Sequence, residues 1–197
     1  MFGLTPAKSP TPILEGRTIL LRPPLKGDSA EWRALREQSR TFLTPWEPQW
    51  AADELSERAF RLRLGQWQRD AIAGTAHSFL IVDKSTGCLS GGISVFNIRH
   101  GAAESGEIGY WMGEGHAGRG RMGEALALLT DWCFAGLGLR RIVAACIPDN
   151  QRSRRVLEKP DSPAKAWCGP ICASMAQDGP FAFSLVAPDD AATWTGD

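Results

Sequence analysis

The spacing of apolar residues along this chain switches between helical and extended periods, and the switches mark out its elements. Arg17–Arg22 runs through Ile19, Leu20 and Leu21 into Pro23-Pro24, which predicts a first strand over 17–22. Trp32, Leu35 and Arg36 then fall at helical spacing, and Asp28 or Ser29 could cap a helix running to about Arg40. Thr41–Trp50 holds two prolines and two tryptophans and reads as a structured loop. Residues 52–73 predict a second helix, with Leu55, Ala59, Leu62, Gln66 and Arg69 along one side and Phe60, Leu64 and Trp67 along another. The two helices form a hairpin between the first and second strands. The period then shortens. Ser78–Asp83 is an apolar run, Lys84–Gly87 a turn, and Leu89–Ile98 a strand with Ile93, Val95 and Asn97 on one face. After Arg99-His100-Gly101, a further strand covers Glu104–Met112.

Beyond Met112 the helical period returns. Met122, Ala125, Leu126, Leu129, Trp132 and Cys133 make an apolar stripe on a helix ending near Leu137. Arg140–Ile147 is a strand, and Pro148–Ser153 is a turn opening a helix over Arg154–Lys159, with Asn150 as its candidate cap. With neither a repeat nor a linker, the pattern predicts a single domain over 1–197, its first 12 residues a loose leader carrying three prolines.

Composition narrows the function classes. The chain balances 22 basic against 22 acidic residues, which argues against a nucleic-acid partner. No apolar run approaches the roughly 20 residues of a membrane helix, and the N-terminus lacks a signal-peptide pattern, so a cytoplasmic protein with no membrane partner is expected. The five cysteines, Cys88, Cys133, Cys146, Cys168 and Cys172, have neither disulfide-framework nor zinc-site spacing, so no metal is expected. Cys88, Cys133 and Cys146 read as small buried apolar residues. His77, His100 and His116 read as solvated loop residues, His116 being of interest for its place beside a glycine-rich loop.

That loop is the chemically informative segment. Glycines stand at 113, 115, 118, 120 and 123, between a strand end and a helix start. Successive backbone N–H groups at a helix start form an anion cradle, to which the helix dipole adds positive potential. Glycine allows close approach and positive φ, and Arg119 and Arg121 add charge. The loop suits a pyrophosphate, yet no Gly-Lys-Ser/Thr follows, and the dinucleotide fingerprint fits poorly.

Four stretches carry a family resemblance: Ser39-Arg40-Thr41-Phe42-Leu43 with Pro45-Trp46-Glu47-Pro48; Glu107-Ile108-Gly109-Tyr110-Trp111; His116-Ala117-Gly118-Arg119-Gly120 with Glu124-Ala125; and Pro148-Asp149-Asn150 with Ser153 and Val156-Leu157-Glu158-Lys159. Over about residues 14–159 the chain resembles the GNAT superfamily of N-acetyltransferases. It is most similar to the RimJ/RimL-like branch, which acetylates N-terminal alanine of ribosomal proteins. The first stretch is specific to the branch; the others are more widely shared. The resemblance implies an α/β GNAT fold: a mixed, mostly antiparallel central sheet splayed at its centre, with helices on both faces. It implies acetyl-CoA as cosubstrate, its pyrophosphate on Ala117, Gly118, Arg119, Gly120, Arg121, Met122 and Gly123. The pantetheine would pair with backbone at Tyr110, Trp111 and Met112. Ala117 and Met122 depart from the family pattern, at positions that act mainly through backbone amides.

Acetyl transfer to an amine must remove a proton from the ammonium and favours a donor to the leaving thiolate. The resemblance makes Glu107 the candidate base; as an ordinary strand residue it would instead form a surface salt bridge. Ser153 resembles a serine that relatives place near the CoA sulfur, or is a first-turn helix serine bonding backbone. Asn150 would contact pantetheine, or serve only as the cap. Tyr110 is given a packing and backbone role, and Trp46 and Trp50 are read as core residues rather than acceptor-site walls. The acceptor on this reading is a protein N-terminus beginning with alanine or serine. Alternatives are a small-molecule amine, or an impaired protein that binds acetyl-CoA without turnover. Relatives occur as monomers and homodimers.

After Lys159 the resemblance stops. Residues 160–176 have neither helical nor strand period. When their codons are shifted so that each third base opens the next codon, Trp167-Cys168 must give Val and Met175-Ala176 must give Gly. The remaining degenerate codons permit the Gly-Phe, Glu-Gly and Ile-Asn-Gly pattern of the family. A compensated frameshift over roughly Pro160–Gly179, in the gene or in its sequencing, accounts for this. Phe181–Pro188 reads as a normal last strand.

Overall fold

A computed structural model of the chain describes residues 10–158 and the strands at 167–168 and 181–186. The atypical segment at 160–179 lies outside the described residues, apart from the short strand Trp167–Cys168. Eight strands among the described residues form one sheet in the order β1-β2-β3-β4-β5-β6-β8-β7. They are β1 (Leu14–Glu15), β2 (Ile19–Arg22), β3 (His77–Asp83), β4 (Leu89–Arg99), β5 (Ser105–Met112), β6 (Arg141–Cys146), β7 (Trp167–Cys168) and β8 (Phe181–Val186). Every neighbouring pair is antiparallel except β5 and β6. The last strand is where the sequence put it, and it pairs along the whole of β6.

The helices are α1 (Ser29–Gln38), α2 (Arg40–Leu43), α3 (Glu57–Ala73), α4 (Arg121–Ala135) and α5 (Gln151–Leu157). Two cores result. One packs α4 against the sheet through Ala125, Leu126, Leu129 and Cys133. The other packs α1 and α3 on the opposite face through Trp32, Leu35, Phe60 and Leu64. The mixed sheet with helices on both faces is the architecture expected from the resemblance.

Several boundaries move for local reasons. The first helix stops at Gln38, because Ser39 leaves helical geometry and opens the short α2 within the segment read as loop. The second begins only at Glu57, where the Ser56 hydroxyl accepts from Ala59 N–H, an N-cap the apolar pattern overran. Leu62 is 65% exposed, so Phe60 and Leu64 define the buried face. Asn97 does not continue the Ile93–Val95 face. The β4–β5 register shifts between Phe96 and Arg99, Asn97 takes φ 51°, and Ile98 is buried instead. Residues 1–9 of the expected leader lie outside the description, but Thr11 is buried and bonded to the His77 ring at 2.9 Å.

Candidate functional site

The site begins with a divergence. β5 and β6 pair from Ser105↔Arg141 to Ile108↔Ala144, and there the ladder ends although β5 continues to Met112 and β6 to Cys146. Gly109–Met112 remain paired with β4 on one side only. Each strand residue points its backbone groups sideways, so the edge of β5 turned toward β6 keeps open donors and acceptors beyond Ile108. An extended ligand can pair there as an added strand.

At the far end of β5 the chain makes a single 3-10 turn over Glu114–His116 and enters α4 through Gly118 and Gly120. Both take positive φ, 76° and 78°, and a Cβ at either would point into open space. Gly120 is the N-cap of α4 and supplies no side-chain acceptor to its first turn. The first amides of this 15-residue helix are thus presented to an incoming anion. Arg119 is exposed beside them, whereas Arg121 is drawn inward into an ion pair with Asp83 and a 3.2 Å hydrogen bond with His116 Nδ1. Of the two arginines read as loop charges, Arg121 is mainly a fastener between α4 and β3. Hydrogen bonds from Ser85, with nearby Arg121, hold the Asp83 carboxyl below its ordinary range against the opposing effect of burial.

The other lip of the divergence is α5. Asn150 caps it, accepting from Ser153 N–H at 3.0 Å. The Ser153 hydroxyl lies 2.8 Å from the Tyr110 phenol, which reaches across from β5. Tyr110 therefore has a polar side-chain function beside its packing role. Burial raises its pKa above the ordinary tyrosine value, against the smaller lowering by the Ser153 hydrogen bond.

The stretch Ser39–Leu43 touches both lips. Ser39, 2% exposed, accepts from Glu114 N–H. Phe42 lies under the Arg152 guanidinium of α5, at 4.7 Å from its ring centroid.

On the α1/α3 face lies a groove of about 600 Å³, with Trp32, Trp50, Trp67, Phe96 and Trp111 in its walls and Ser78 and Ser94 among its lining residues. Buried Arg36 organises it. Its guanidinium stacks on Trp50, Trp111 and Trp32 at 4.5, 4.9 and 5.1 Å, and makes a two-pronged ion pair with Glu47. Trp50 Nε1–H donates to the same carboxylate at 2.7 Å. Trp50 is thus a groove wall and not a core residue, and Trp46 is half-buried outside both cores. The sequence reading placed Arg36 on a helix and quoted Glu47, but missed their pairing; an arginine at helical spacing with Trp32 was the available signal.

Glu107 sits on the same sheet face but is exposed, and accepts from Asn97 Nδ2 at 3.1 Å. It lines a second cavity, of about 520 Å³, with Asn97, Arg99 and Arg141. Its cross-strand partner Phe96 lines the aromatic groove. The structure therefore brings together Tyr110, Asn150, Ser153 and the 117–123 loop around the divergence, and sets Glu107 outside the groove, directly across the β4–β5 pair from Phe96 in its wall.

The remaining titratable readings need correction. His77 is not a solvated loop residue: it lies in β3, 4% exposed, edge-on to Trp132, and burial lowers its pKa. His116 is half-buried, its pKa lowered by desolvation and then by Arg121 and Arg119. Cys133 and Cys146 are buried as expected, but Cys88 is exposed at the β3–β4 turn.

A split parallel pair inside an otherwise antiparallel sheet, closed at one end by a glycine loop on a helix start, is the arrangement that the resemblance to N-acetyltransferases implied. The acetyltransferase (GNAT) domain family matches residues 18–161, and the chain belongs to that family of N-acetyltransferases. It is 35% identical to a Bacillus subtilis (strain 168) protein named Probable N-acetyltransferase YjcK, over 75% of this chain and 81% of that one. It is 28% identical to the ribosomal protein uS5-alanine N-acetyltransferase of Escherichia coli (strain K12), over 81% of each. Mycobacterium smegmatis RimJ, solved in complex with CoA-disulfide, superposes with a TM-score of 0.76 at 26% identity, covering 87% of this chain and 83% of that one. Among the described residues no helix is long and apolar enough to cross a membrane.

Proposed function

We propose that this protein transfers the acetyl group of acetyl-CoA to the N-terminal amine of a protein, acting in the cytoplasm. The observation that carries the reading is the end of β5–β6 pairing at Ile108↔Ala144, with the glycine loop at the head of α4 beside it. The two features fit the two halves of the cosubstrate. An open strand edge over Gly109–Met112 suits the amide-bearing pantetheine arm, and the amides at Gly118–Gly123 suit the pyrophosphate. The positive-φ glycines 118 and 120, with open space where a Cβ would stand, leave room for close anion approach.

Acetyl-CoA supplies a thioester carbonyl open to attack. The residues of this chain do the rest. The aromatic groove receives the acceptor and excludes water from it. Glu107 takes the proton of the incoming ammonium, with solvent linking it to the groove. Ser153 faces the sulfur from α5 and gives it a hydrogen bond as the amine displaces it. The kinship with the uS5-alanine N-acetyltransferase supports an alanine or serine N-terminus as acceptor.

Calorimetric titration with acetyl-CoA, using ADP as control, tests the first half. Micromolar binding that needs the pantetheine arm is the expected result, and binding no tighter than ADP overturns it. Incubation with peptides beginning Ala or Ser, against polyamines and aminoglycosides, tests the second. Peptide acetylation is expected; exclusive acetylation of small amines makes the protein a metabolite acetyltransferase, and binding without any turnover makes it a binder alone.

A further inference from the structure

The side chain of Tyr110 has no part in the reading above, which uses its backbone alone. Yet it links the two lips of the divergence: it starts on β5, beyond the last β5–β6 pair, and ends at Ser153 on α5. Its hydroxyl lies 2.8 Å from Ser153 Oγ and 3.4 Å from the Ser153 carbonyl oxygen.

Ser153 is held from several directions at once. Its N–H donates to Asn150 Oδ1 at 3.0 Å, which fixes the backbone of the first turn of α5. Its hydroxyl meets Tyr110 and also interacts with the buried thiol of Cys146 at the end of β6. A hydroxyl has one proton to give. If Ser153 spends it on Tyr110, none remains for a ligand. If the phenol donates instead, the Ser153 proton is left for an acceptor other than Tyr110, the Cys146 sulfur or a ligand in the cleft. Burial favours the neutral, proton-bearing phenol, which keeps this donor present throughout the working pH range.

We propose that Tyr110 is the positioning residue for Ser153: the phenol donates to Ser153 Oγ and so orients and polarises that hydroxyl toward the sulfur of CoA. The inference rests on the reading that CoA lies between β5 and β6. In the transfer step the amine nitrogen bonds to the acetyl carbonyl carbon, the carbon–sulfur bond breaks and its electron pair stays on sulfur. The Ser153 O–H stabilises that thiolate by a hydrogen bond, strengthened because Tyr110 donates into the same oxygen. The proton that finally rests on sulfur is the one released by the acceptor amine, so neither hydroxyl is consumed.

The test needs no acceptor. Free CoA and desulfo-CoA, which lacks only the thiol, are titrated calorimetrically into the full-length protein across pH 7 to pH 10, and the thiolate absorbance of bound CoA is followed. The wild-type protein should bind CoA more tightly than desulfo-CoA at the alkaline end, with the thiol pKa of bound CoA lowered. Tyr110→Phe should raise that pKa by about one unit, a tenfold change in the thiolate preference, while desulfo-CoA affinity stays within about twofold. Ser153→Ala should give the same loss, and the double variant no more than either single one. A Tyr110→Phe protein with the wild-type thiol pKa, or additive losses in the double variant, overturns the proposal. Failure of the wild-type protein to bind either compound overturns instead the placement of CoA on which it rests. Because Tyr110→Phe keeps the ring, equal circular dichroism and melting temperature separate a lost hydroxyl from a lost fold. Should that variant not fold, an unaltered CoA thiol pKa in Ser153→Ala alone refutes the hydroxyl pair.

Discussion

The Ser39 hydroxyl accepts a hydrogen bond of 3.0 Å from the backbone N–H of Glu114, tying the junction of α1 and α2 to the loop that leads into α4. Three residues later Phe42 lies against Arg152 of α5. One short stretch therefore braces both lips of the split sheet, which gives its branch-specific sequence a physical purpose. Ser39 is fully enclosed, so its loss leaves an unpaired amide in the loop. Ser39→Ala should weaken acetyl-CoA binding about three- to tenfold and lower stability by about 1 kcal/mol. Calorimetry and urea unfolding measure both, and unchanged affinity would detach the junction from the loop.

Gly120 is the N-cap of α4 with φ 78° and no side-chain cap. Gly120→Glu should abolish detectable acetyl-CoA binding, since it adds backbone strain, bulk and negative charge to an anion cradle. Gly123 has ordinary φ and open space beyond its Cα. Gly123→Ala should leave the fold intact and reduce affinity only as far as the ligand approaches it. Retained binding in Gly120→Glu would refute the loop assignment.

The elements that a single period describes were readable in advance. Leu126, Leu129 and Cys133 announced the buried face of α4, and Asn150 its role as the cap of α5. What escaped reading depends on partners distant in sequence. Trp50 appeared to belong in a core because an indole is apolar, yet it is held at the groove by Arg36 and Glu47. His77 appeared solvated, because the Thr11 hydroxyl and the Trp132 ring that enclose it lie 66 and 55 residues away. The exposure of Asn97 follows from a register shift in β4, which local alternation does not encode. The place of Glu107, outside the aromatic groove, needed the sheet to be assembled.

Arg36 and Glu47 form an ion pair with the arginine side chain 5% exposed and the carboxylate 21% exposed. Breaking such a pair leaves a charge stranded among three indoles. Glu47→Gln should lower stability by on the order of 3 kcal/mol, and should free Trp50, whose Nε1–H donates to the same carboxylate. Urea unfolding gives the first quantity, and tryptophan fluorescence with acrylamide quenching reports the second. A variant with wild-type stability and quenching would mean that the groove wall stands without the pair.

Stability should fall on mild acidification, with His77 as a named contributor. Burial lowers its pKa in the folded protein, so the unfolded chain binds the proton more readily. The sign follows from linkage: where the unfolded state takes up more protons, stability rises with pH. The contribution of His77 is complete above the ordinary histidine pKa of about 6.5. It is lost as pH falls below that value, until the folded-state pKa is passed. His77→Gln removes the titration while keeping a polar side chain opposite the Thr11 hydroxyl, 2.9 Å from the native ring nitrogen. Urea midpoints measured from pH 7.5 to pH 5 should decline more steeply for the wild-type protein than for this variant. Parallel declines would show that the ring accepts its proton without cost, and that Thr11 and Trp132 leave room for the imidazolium.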